Sequence, residues 1–457
     1  MSEPQYDFDI NLETQRLQTI LQSEDMKSFR EIFLSYPLYD QTQMYVRFAP
    51  EARIQMYNYL SPQEMANMFE VLEEDVEAIE KYILEMNKQY AADMIGSMYT
   101  DNAVDMLKEL NPDLIPKYLR LMDPEEAAEI SEIIDYKDET AGAIMTTEFI
   151  SVFENQTVRA AMSYIKSKAL EAETIYYIYV VGEIGQLVGV LSLRDLIVHD
   201  DDKLIFEIMS DRIITVDVDD AQGDVARVAR DYDFLALPVI DENNILLGII
   251  TVDDILDVIH EEHTSDYSGL AAVDVDETTI NPFVAASKRL PWLITLLFLG
   301  MGTSSLISQY EDLIANAAVL SVFVTLITGT AGNAGTQSLA VAVRKLGNAD
   351  SESRSWGRVL LQELETGLIS GVVTGAAITI VIGIWQNNFI LGSIIGFSML
   401  AAITVANLAG SLIPLLMDRL GFDPAVASGP FISTFSDLTS VLIYFNIAQY
   451  FLEMIVA

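Results

Sequence analysis

Long apolar runs separated by short polar links occupy the C-terminal part of the chain. A helix needs about 20 mostly apolar residues to cross about 30 Å of hydrocarbon. Core helices of soluble domains are shorter and carry polar residues on one face. The sequence therefore predicts five membrane-spanning helices, at about 290–308, 313–334, 366–385, 390–417 and 424–452.

The middle of the chain contains one apolar pattern twice. Residues 189–196 (GVLSLRDL) recur as residues 248–255 (GIITVDDI), and an upstream IM followed by a short apolar run also recurs. Each copy predicts strand, helix, strand, strand, helix. Matching units of about 60 residues indicate a tandem pair of α/β domains.

Residues 1–139 predict helices only. Helix starts recur with proline in the first turn and acidic residues beside it, as at Pro50, Pro62 and Pro124. Their spacing indicates an all-α superhelical domain of short stacked helices.

Charge separates the two parts of the chain. The formal net charge is −42, and 58 of the 68 acidic but only 19 of the 26 basic residues precede residue 281. So acidic a part argues against nucleic acid or an anionic membrane surface as a partner. The absence of cysteine excludes disulfides and thiolate metal sites. Residues 1–13 lack the features of a signal peptide, which predicts that the N-terminal part stays in the cytoplasm.

Basic residues between the predicted spans give an orientation. All seven fall on one side of the predicted topology, and basic loops stay in the cytoplasm. The expectation is a multi-pass protein of the cell membrane, with its N-terminal domains inside and its C-terminus outside. The seven are Lys288, Arg289, Arg344, Lys345, Arg354, Arg358 and Arg419.

Asp437 is the only acidic residue well inside a predicted span. A carboxylate there costs about 2.5–3.5 kcal/mol or more unless it meets water, a cation or a partner. We expect a cation site in an aqueous path; the alternative is a buried neutral or hydroxyl-bonded carboxyl group. Within residues 329–338 (GTAGNAGTQS), the polar Asn333, Thr336 and Gln337 favour a pore lining with irregular backbone over simple packing of small residues.

The two histidines of residues 260–263 (HEEH) evoke a zinc helix. They are three apart, however, whereas the metalloprotease pattern needs a spacing of four. We therefore expect no catalytic residues and no enzyme, and oxygen ligands that suit magnesium.

The repeat over about 140–262 resembles a tandem pair of CBS domains, many of which bind adenine nucleotides between the copies. The family's ribose signature, Ser/Thr-x-x-Asp, matches Ser192 with Asp195 and Thr251 with Asp254. ATP binding at Ser192, Asp195 and Thr251 is the expectation, and an ordinary helix cap is an equal alternative.

The whole chain resembles the MgtE family of bacterial magnesium channels. The matching segments are 332–338 (GNAGTQS), 423–425 (DPA) and 428–430 (SGP), followed by Thr434 and Asp437. The resemblance implies a homodimer with its pore on the two-fold axis. It divides the chain into a helical domain (1–139), two CBS domains (about 140–203 and 204–262), a connecting plug helix (263–287) and a pore domain (288–457).

The resemblance also implies ion ligands. Asp437 from each chain would hold hydrated Mg²⁺, with Asn333, Thr336 and the carbonyl groups of Gly329 and Gly332 along the same path. Regulatory Mg²⁺ would bind acids of the helical domain, the second CBS domain and the plug helix; Ser265 departs from the family there. These acids are Asp101, Asp105, Asp254, Asp257, Glu262 and Asp266.

The expected mechanism follows from charge. Acidic faces repel one another when internal Mg²⁺ is low, and bound Mg²⁺ bridges them into a compact state. The plug helix, continuous with Lys288 and Arg289, then holds the pore shut. Two alternatives stay open: a secondary transporter coupled to protons or sodium, and a membrane-anchored nucleotide sensor without transport.

Overall fold

The structure, a computed structural model, describes residues 9–72, 76–273, 275, 281–346, 356–420 and 428–451. The chain forms two compact units, Met1–Ile259 and His260–Ala457. We call them the first and the second unit and describe each by itself.

In its described residues the first unit begins with ten short helices, and the sequence predicts helices only for this part of the chain. Proline is the first residue of α4, α5 and α10, and Ser61 and Glu64 form a capping box at the N-terminus of α5. Buried aromatic and methionine side chains such as Phe29, Tyr45 and Met65 hold the helices together. The helices are Ile10–Gln22 (α1), Met26–Phe33 (α2), Leu38–Arg47 (α3), Pro50–Tyr59 (α4), Pro62–Phe69 (α5), Val76–Glu85 (α6), Lys88–Gly96 (α7), Thr100–Glu109 (α8), Ile115–Leu119 (α9) and Pro124–Ile134 (α10).

Two copies of one α/β motif follow. In each, the first strand pairs parallel with the second, which pairs antiparallel with the third. The registers correspond, since Tyr177 pairs with Ser192 and Ala236 with Thr251. The elements are Ser151–Phe153 (β1), Val158–Lys168 (α11), Tyr177–Val181 (β2), Leu187–Ser192 (β3) and Leu193–Val198 (α12), then Val216–Asp217 (β4), Gln222–Tyr232 (α13), Ala236–Ile240 (β5), Leu246–Thr251 (β6) and Val252–Ala271 (α14).

One hydrophobic core joins the helical domain to the second repeat. It runs from Leu17 in α1 through Val104 and Ile133 to Val239 and Ile250 of the second sheet. Burial of this shared apolar surface fixes α8 against the repeat pair. That packing places Asp101 of α8 close to Asp254 of α14.

The second unit contains five long apolar helices. They have 22 to 31 residues, and at 1.5 Å per residue each is long enough to cross a bilayer. They are Pro282–Ser308 (α15), Val319–Leu346 (α17), Trp356–Trp385 (α18), Phe389–Arg419 (α19) and Gly429–Tyr450 (α20), with the short Glu311–Asn316 (α16) after the first. The predicted bounds of the second span, 313–334, are wrong, because α17 begins at Val319 and continues to Leu346. The motif at 423–425 and the basic residue Arg354 lie outside the described residues.

The connecting helix differs from the prediction. We expected one helix over 263–287, but α14 runs unbroken from the second repeat to Ala271 and α15 begins at Pro282. Ala272 adopts a left-handed conformation (φ 55°), and the Val273 N–H donates to the carbonyl of Ser268 at 3.1 Å, which closes the helix. Lys288 and Arg289 therefore belong to α15.

Candidate metal centre and ion pathway

Three carboxylates converge in the first unit. Asp101 lies in the first turn of α8, Asp254 in the first turn of α14, and Glu173 in the loop between α11 and β2. One oxygen from each lies within 4.8 Å of the others. They come from the helical domain and from both repeats. We call this group the acidic cluster.

Hydrogen bonds hold the cluster in place. Glu148 accepts from the Thr100 hydroxyl at 2.7 Å and from the Thr100 N–H at 3.3 Å, which anchors the start of α8. The N–H of Glu173 donates to the carbonyl of Glu148 at 2.9 Å. Asp254 accepts from the Thr251 hydroxyl at 2.6 Å and from its N–H at 3.0 Å. These hydrogen bonds therefore anchor the backbone or the side chain of each residue of the cluster.

The cluster concentrates negative charge away from water. Burial raises the pKa of Asp101 well above its usual range, and the charges of Asp254 and Glu173 add to it. Burial also raises the pKa of Glu173 to about 8, again with Asp254, and that of Asp254 to about 6.

Two oxygens of the cluster are orphaned. Among the described residues, Asp101 Oδ1 and Glu173 Oε2 are buried and accept no hydrogen bond. Uncompensated carboxylates at this spacing suit a small hard cation that takes oxygen ligands, such as Mg²⁺.

Only part of the predicted regulatory set converges. Of the six acids, the cluster contains Asp101 and Asp254. Asp105 and Asp257 are exposed further along α8 and α14, where their charges raise the pKa of Glu109 and Asp254. Glu262 and Asp266 lie on the part of α14 that belongs to the second unit. The sequence analysis did not include Glu173 among the metal ligands, because an acid in a loop follows no helical or strand period.

The predicted nucleotide residues separate into two places. Ser192 and Asp195 line a cavity of about 220 Å³ between the repeats, with Tyr177, Arg212 and Phe234. They also form a capping box, in which the Ser192 hydroxyl lies 2.7 Å from Asp195 Oδ2. Thr251 is buried beside Asp254 and binds two carboxylates of α14. Its assignment to nucleotide binding therefore does not fit its position.

The glycine-rich segment is regular helix, contrary to the expected irregular backbone. Gly329 and Asn333, one turn apart, lie on an exposed face of α17, and Thr336 is half-buried. Gly332 is buried against Ser433 of α20, and its carbonyl accepts from the Thr336 hydroxyl at 3.0 Å. Gly332 is therefore a packing residue, and only Gly329 and Asn333 of this set face open space.

Asp437 lies in the middle of α20, which packs against the buried face of α17. The two helices touch where a Cβ added to Gly332 would come within 2.9 Å of Ser433 Oγ, and one added to Gly335 within 2.8 Å of Ser436 Oγ. Asp437 follows Ser436 and is half-buried. In the described part of the chain it takes part in no ion pair.

Two further acids, the buried Glu363 and the exposed Glu365, lie within the apolar helix α18. Because α18 begins at Trp356, ten residues before the predicted span, it includes Glu363, which is only 7 % exposed. The expectation that Asp437 stands alone is wrong in this respect.

Family models match three parts of the chain. A model described as divalent cation transporter, MgtE, matches residues 324–447. The MgtE intracellular N domain matches residues 36–139, and the CBS domain matches 141–201 and 205–261. The predicted fold class of helical domain, CBS pair and five apolar helices is confirmed.

Curated proteins resemble the chain over most of its length. A magnesium transporter MgtE of Enterococcus faecalis is 66% identical over 332 residues, 73% of each chain. Proteins of the same name from Bacillus subtilis and Thermus thermophilus are each 40% identical, over 73% of this chain and 74% and 75% of their own.

Two solved structures resemble the N-terminal part. The soluble part of a magnesium transporter is 54% identical, with a TM-score of 0.54, over 56% of this chain and 99% of its own. The cytosolic domain of the Mg²⁺ channel MgtE in complex with ATP is 35% identical, with a TM-score of 0.50, over 54% and 99%.

Proposed function

The chain belongs to the MgtE family of divalent cation transporters, and on that premise we propose that it is a homodimeric magnesium channel. Mg²⁺ would enter the cell through the membrane helices, and internal Mg²⁺ would close the path. The observation that carries the proposal is Asp437, a half-buried carboxylate in an apolar helix without an ion-pair partner among the described residues.

The chemistry of Mg²⁺ suits such a site. This ion gives up water reluctantly and is usually held through its waters by one or two carboxylates. Two copies of Asp437 across a two-fold axis would provide that pair. Asn333 and Gly329, on the neighbouring exposed face of α17, would add neutral oxygen atoms, with Thr336 at its edge.

The acidic cluster would be the regulatory site. Without a cation, Asp101, Glu173 and Asp254 disfavour the packing of α8 on the repeat pair, because three carboxyl groups share one buried place and can become charged there only at a cost in free energy. Bound Mg²⁺ would make the contribution of these three acids to the packing free energy favourable and would select the packed state. Asp105 and Asp257, and Glu262 and Asp266 on α14, would bind further ions at the exposed acidic faces.

The end of α14 would pass the change to the pore. Within the second unit, Leu270 packs against Leu339 and Val343 of α17 and Ile432 of α20. The Leu270 carbonyl oxygen also lies 3.2 Å from the position that a Cβ atom on Gly429 would occupy. A displacement of α14 would thus reach the two helices that carry Asn333 and Asp437.

ATP would bind the cavity between the repeats. The related cytosolic domain is described in complex with ATP. In this chain, Asp195 would accept the ribose hydroxyls, Phe234 offers a ring for the base, and Arg212 a cation for phosphate. ATP would be a modulator of the channel.

The orientation in the membrane would follow the basic residues. Arg344 and Lys345 end α17, Arg358 begins α18, and the Arg419 guanidinium at the end of α19 lies 5.6 Å from the Trp356 ring centre. These helix ends would face the cytoplasm, with the N-terminal domains inside and the C-terminus outside a cell membrane.

Flux into liposomes that contain only the purified full chain tests the transport role. Wild type should take up Mg²⁺ down its gradient without a proton or sodium gradient, and Asp437→Asn should take up almost none. Asp312→Asn, an exposed acid in α16, is the matched control and should behave as wild type.

Each alternative has its own result. Uptake that requires a proton or sodium gradient would identify a coupled transporter, with Asp437 as the carrier of the coupling ion. A wild-type protein without uptake would leave the nucleotide sensor. Wild-type uptake by Asp437→Asn would remove the site from the path.

The same liposomes test regulation. Glu173→Gln with Asp101→Asn should raise the internal Mg²⁺ that halves the flux about tenfold, a change of 1.4 kcal/mol. Glu171→Gln, two residues away and exposed, is the control. An unchanged midpoint in the double variant would contradict the regulatory site.

A further inference from the structure

Glu363 is a buried carboxylate that joins two membrane helices. Its Oε2 lies 3.0 Å from the hydroxyl of Ser338 on α17, and its Oε1 lies 3.4 Å from Nζ of Lys345, also on α17. Glu363 is 7 % and Ser338 4 % exposed. A buried acid in an apolar helix is costly without partners, and both of these partners belong to one neighbouring helix.

A third helix completes the arrangement. The Ser338 hydroxyl also lies 2.8 Å from the backbone carbonyl of Asn407 on α19. With its amide oriented to satisfy both ends, Asn407 donates to the carbonyl of Ala334 at 3.0 Å and accepts from the N–H of Gly367 at 3.3 Å. We call Glu363, Ser338, Lys345 and Asn407 the polar lock.

The polar lock contacts the buried face of α17, not the exposed face that carries Asn333. Ser338 belongs to the buried face of that helix, with Ala331, Gly335 and Leu339. Gly329 and Asn333 lie on its exposed face. Because α17 is one continuous helix, a group that fixes the rotation of Ser338 also fixes the direction of Asn333, five residues earlier.

Around the polar lock, α17 packs through both small and large side chains. Gly335 lies against Ser436 and Gly410, and Leu339 and Val343 pack with Ile432 of α20. The small residues let the helices approach closely. Hydrogen bonds to Ser338 and Ala334 add a directional constraint on the rotation of α17 that apolar contacts do not provide.

We infer that Glu363 is a positioning residue for the ion path: through Ser338 and Lys345 it sets the rotation of α17 and so the placement of Asn333 beside Asp437. The inference rests on the proposed channel function. Glu363 touches no ion itself in this arrangement; it acts through α17.

Single-channel recording of the purified full chain, with matched variants, tests the inference. Glu363→Leu keeps the bulk but removes both contacts, and its unitary Mg²⁺ conductance should fall about tenfold, as for other misplaced site groups. Glu363→Gln keeps an oxygen for Ser338 and should restore conductance to within about twofold of wild type. Glu365→Leu, an exposed acid on the same helix, is the control and should conduct as wild type.

A second measurement separates positioning from general damage. The effect of Mg²⁺ on the thermal unfolding of the N-terminal domains should be unchanged in Glu363→Leu, because the acidic cluster belongs to the first unit. Ser338→Ala, which removes only the hydroxyl group, should also lower conductance, and should add little to Glu363→Leu in the double variant.

Several results would overturn the inference. They are wild-type conductance in Glu363→Leu, wild-type conductance in Ser338→Ala if the leucine variant does not fold, and failure of Glu363→Gln to restore conductance. A wild-type protein that passes no Mg²⁺ would instead refute the proposed function, so the two failures are distinguishable.

Discussion

At the scale of the residue, the surroundings of a carboxylate decide its role. The chain has 68 acidic residues, and of those that the structure describes only Asp101 and Glu363 are buried. Asp101 differs because burial and two like charges surround it. Asp105, one turn later on the same helix, is exposed. The helical spacing of four places Asp101 and Asp105 on one face of α8, but it does not distinguish a buried position from an exposed one.

The raised pKa values predict how stability depends on pH. In the folded chain the pKa of Asp254 is about 6 and that of Glu173 about 8, above the ordinary values of 3.8 and 4.5 that apply after unfolding. The folded state therefore binds more protons between about pH 4 and 8, and its free energy of unfolding falls as pH rises through this window.

Thermal unfolding of the full chain in a chelator checks this dependence. The transition of the N-terminal domains should move to lower temperature from pH 5 to pH 8. Because Mg²⁺ binds only the deprotonated groups, adding it should raise the transition more at pH 8 than at pH 5. Glu173→Gln should reduce the dependence of the unfolding temperature on pH in the upper half of this pH range. An unfolding temperature independent of both pH and Mg²⁺ would contradict the raised pKa values of the cluster and its role as a Mg²⁺ site.

At the scale of the element, glycine has two different uses in the membrane helices. In α18 and α19 it allows backbone contact: a Cβ on Gly375 would lie 2.6 Å from the carbonyl of Gly396, and one on Gly396 equally close to that of Gly375. At Gly329 in α17 an added Cβ meets nothing within 4 Å. The sequence shows the same residue type in both places.

Alanine substitution separates the two uses. Gly375→Ala should lower stability by about 1–3 kcal/mol, since the helices must move apart. Gly329→Ala should leave the unfolding temperature in detergent unchanged or slightly higher, because alanine favours helix by about 1 kcal/mol. Unfolding followed by loss of the size-exclusion peak gives both values. Equal destabilisation by the two changes would contradict the assigned contacts.

At the scale of the whole molecule, the two copies of the repeat place equivalent acids in different surroundings. Asp195 lines the cavity between the copies, whereas its counterpart Asp254 belongs to the acidic cluster. On the proposed function, the first copy would take part in binding ATP and the second in binding Mg²⁺. The two ligands would then act on this part of the chain separately.

Calorimetry on the full chain tests this division. Asp195→Ala should weaken ATP binding about tenfold or more, a loss of at least 1.4 kcal/mol, because the ribose hydroxyls lose their acceptor. Thr251→Ala should leave ATP binding unchanged and should weaken the effect of Mg²⁺ on thermal unfolding. Loss of ATP binding in both variants would restore the expectation that Thr251 takes part in the nucleotide site. Absence of ATP binding in wild type would leave Ser192 and Asp195 as a helix cap.

The sequence by itself determined the class of the protein, the existence of its five spans, the internal repeat and the acidic N-terminal part. These properties follow from hydropathy, periodicity and charge, which are read from neighbouring residues. Only the tertiary structure decided that Glu173 joins Asp101 and Asp254, that Thr251 lies at the cluster, that Gly332 packs and that Glu363 is buried. Each of these depends on contacts between residues far apart in the chain, where shared burial brings together groups that no local pattern connects.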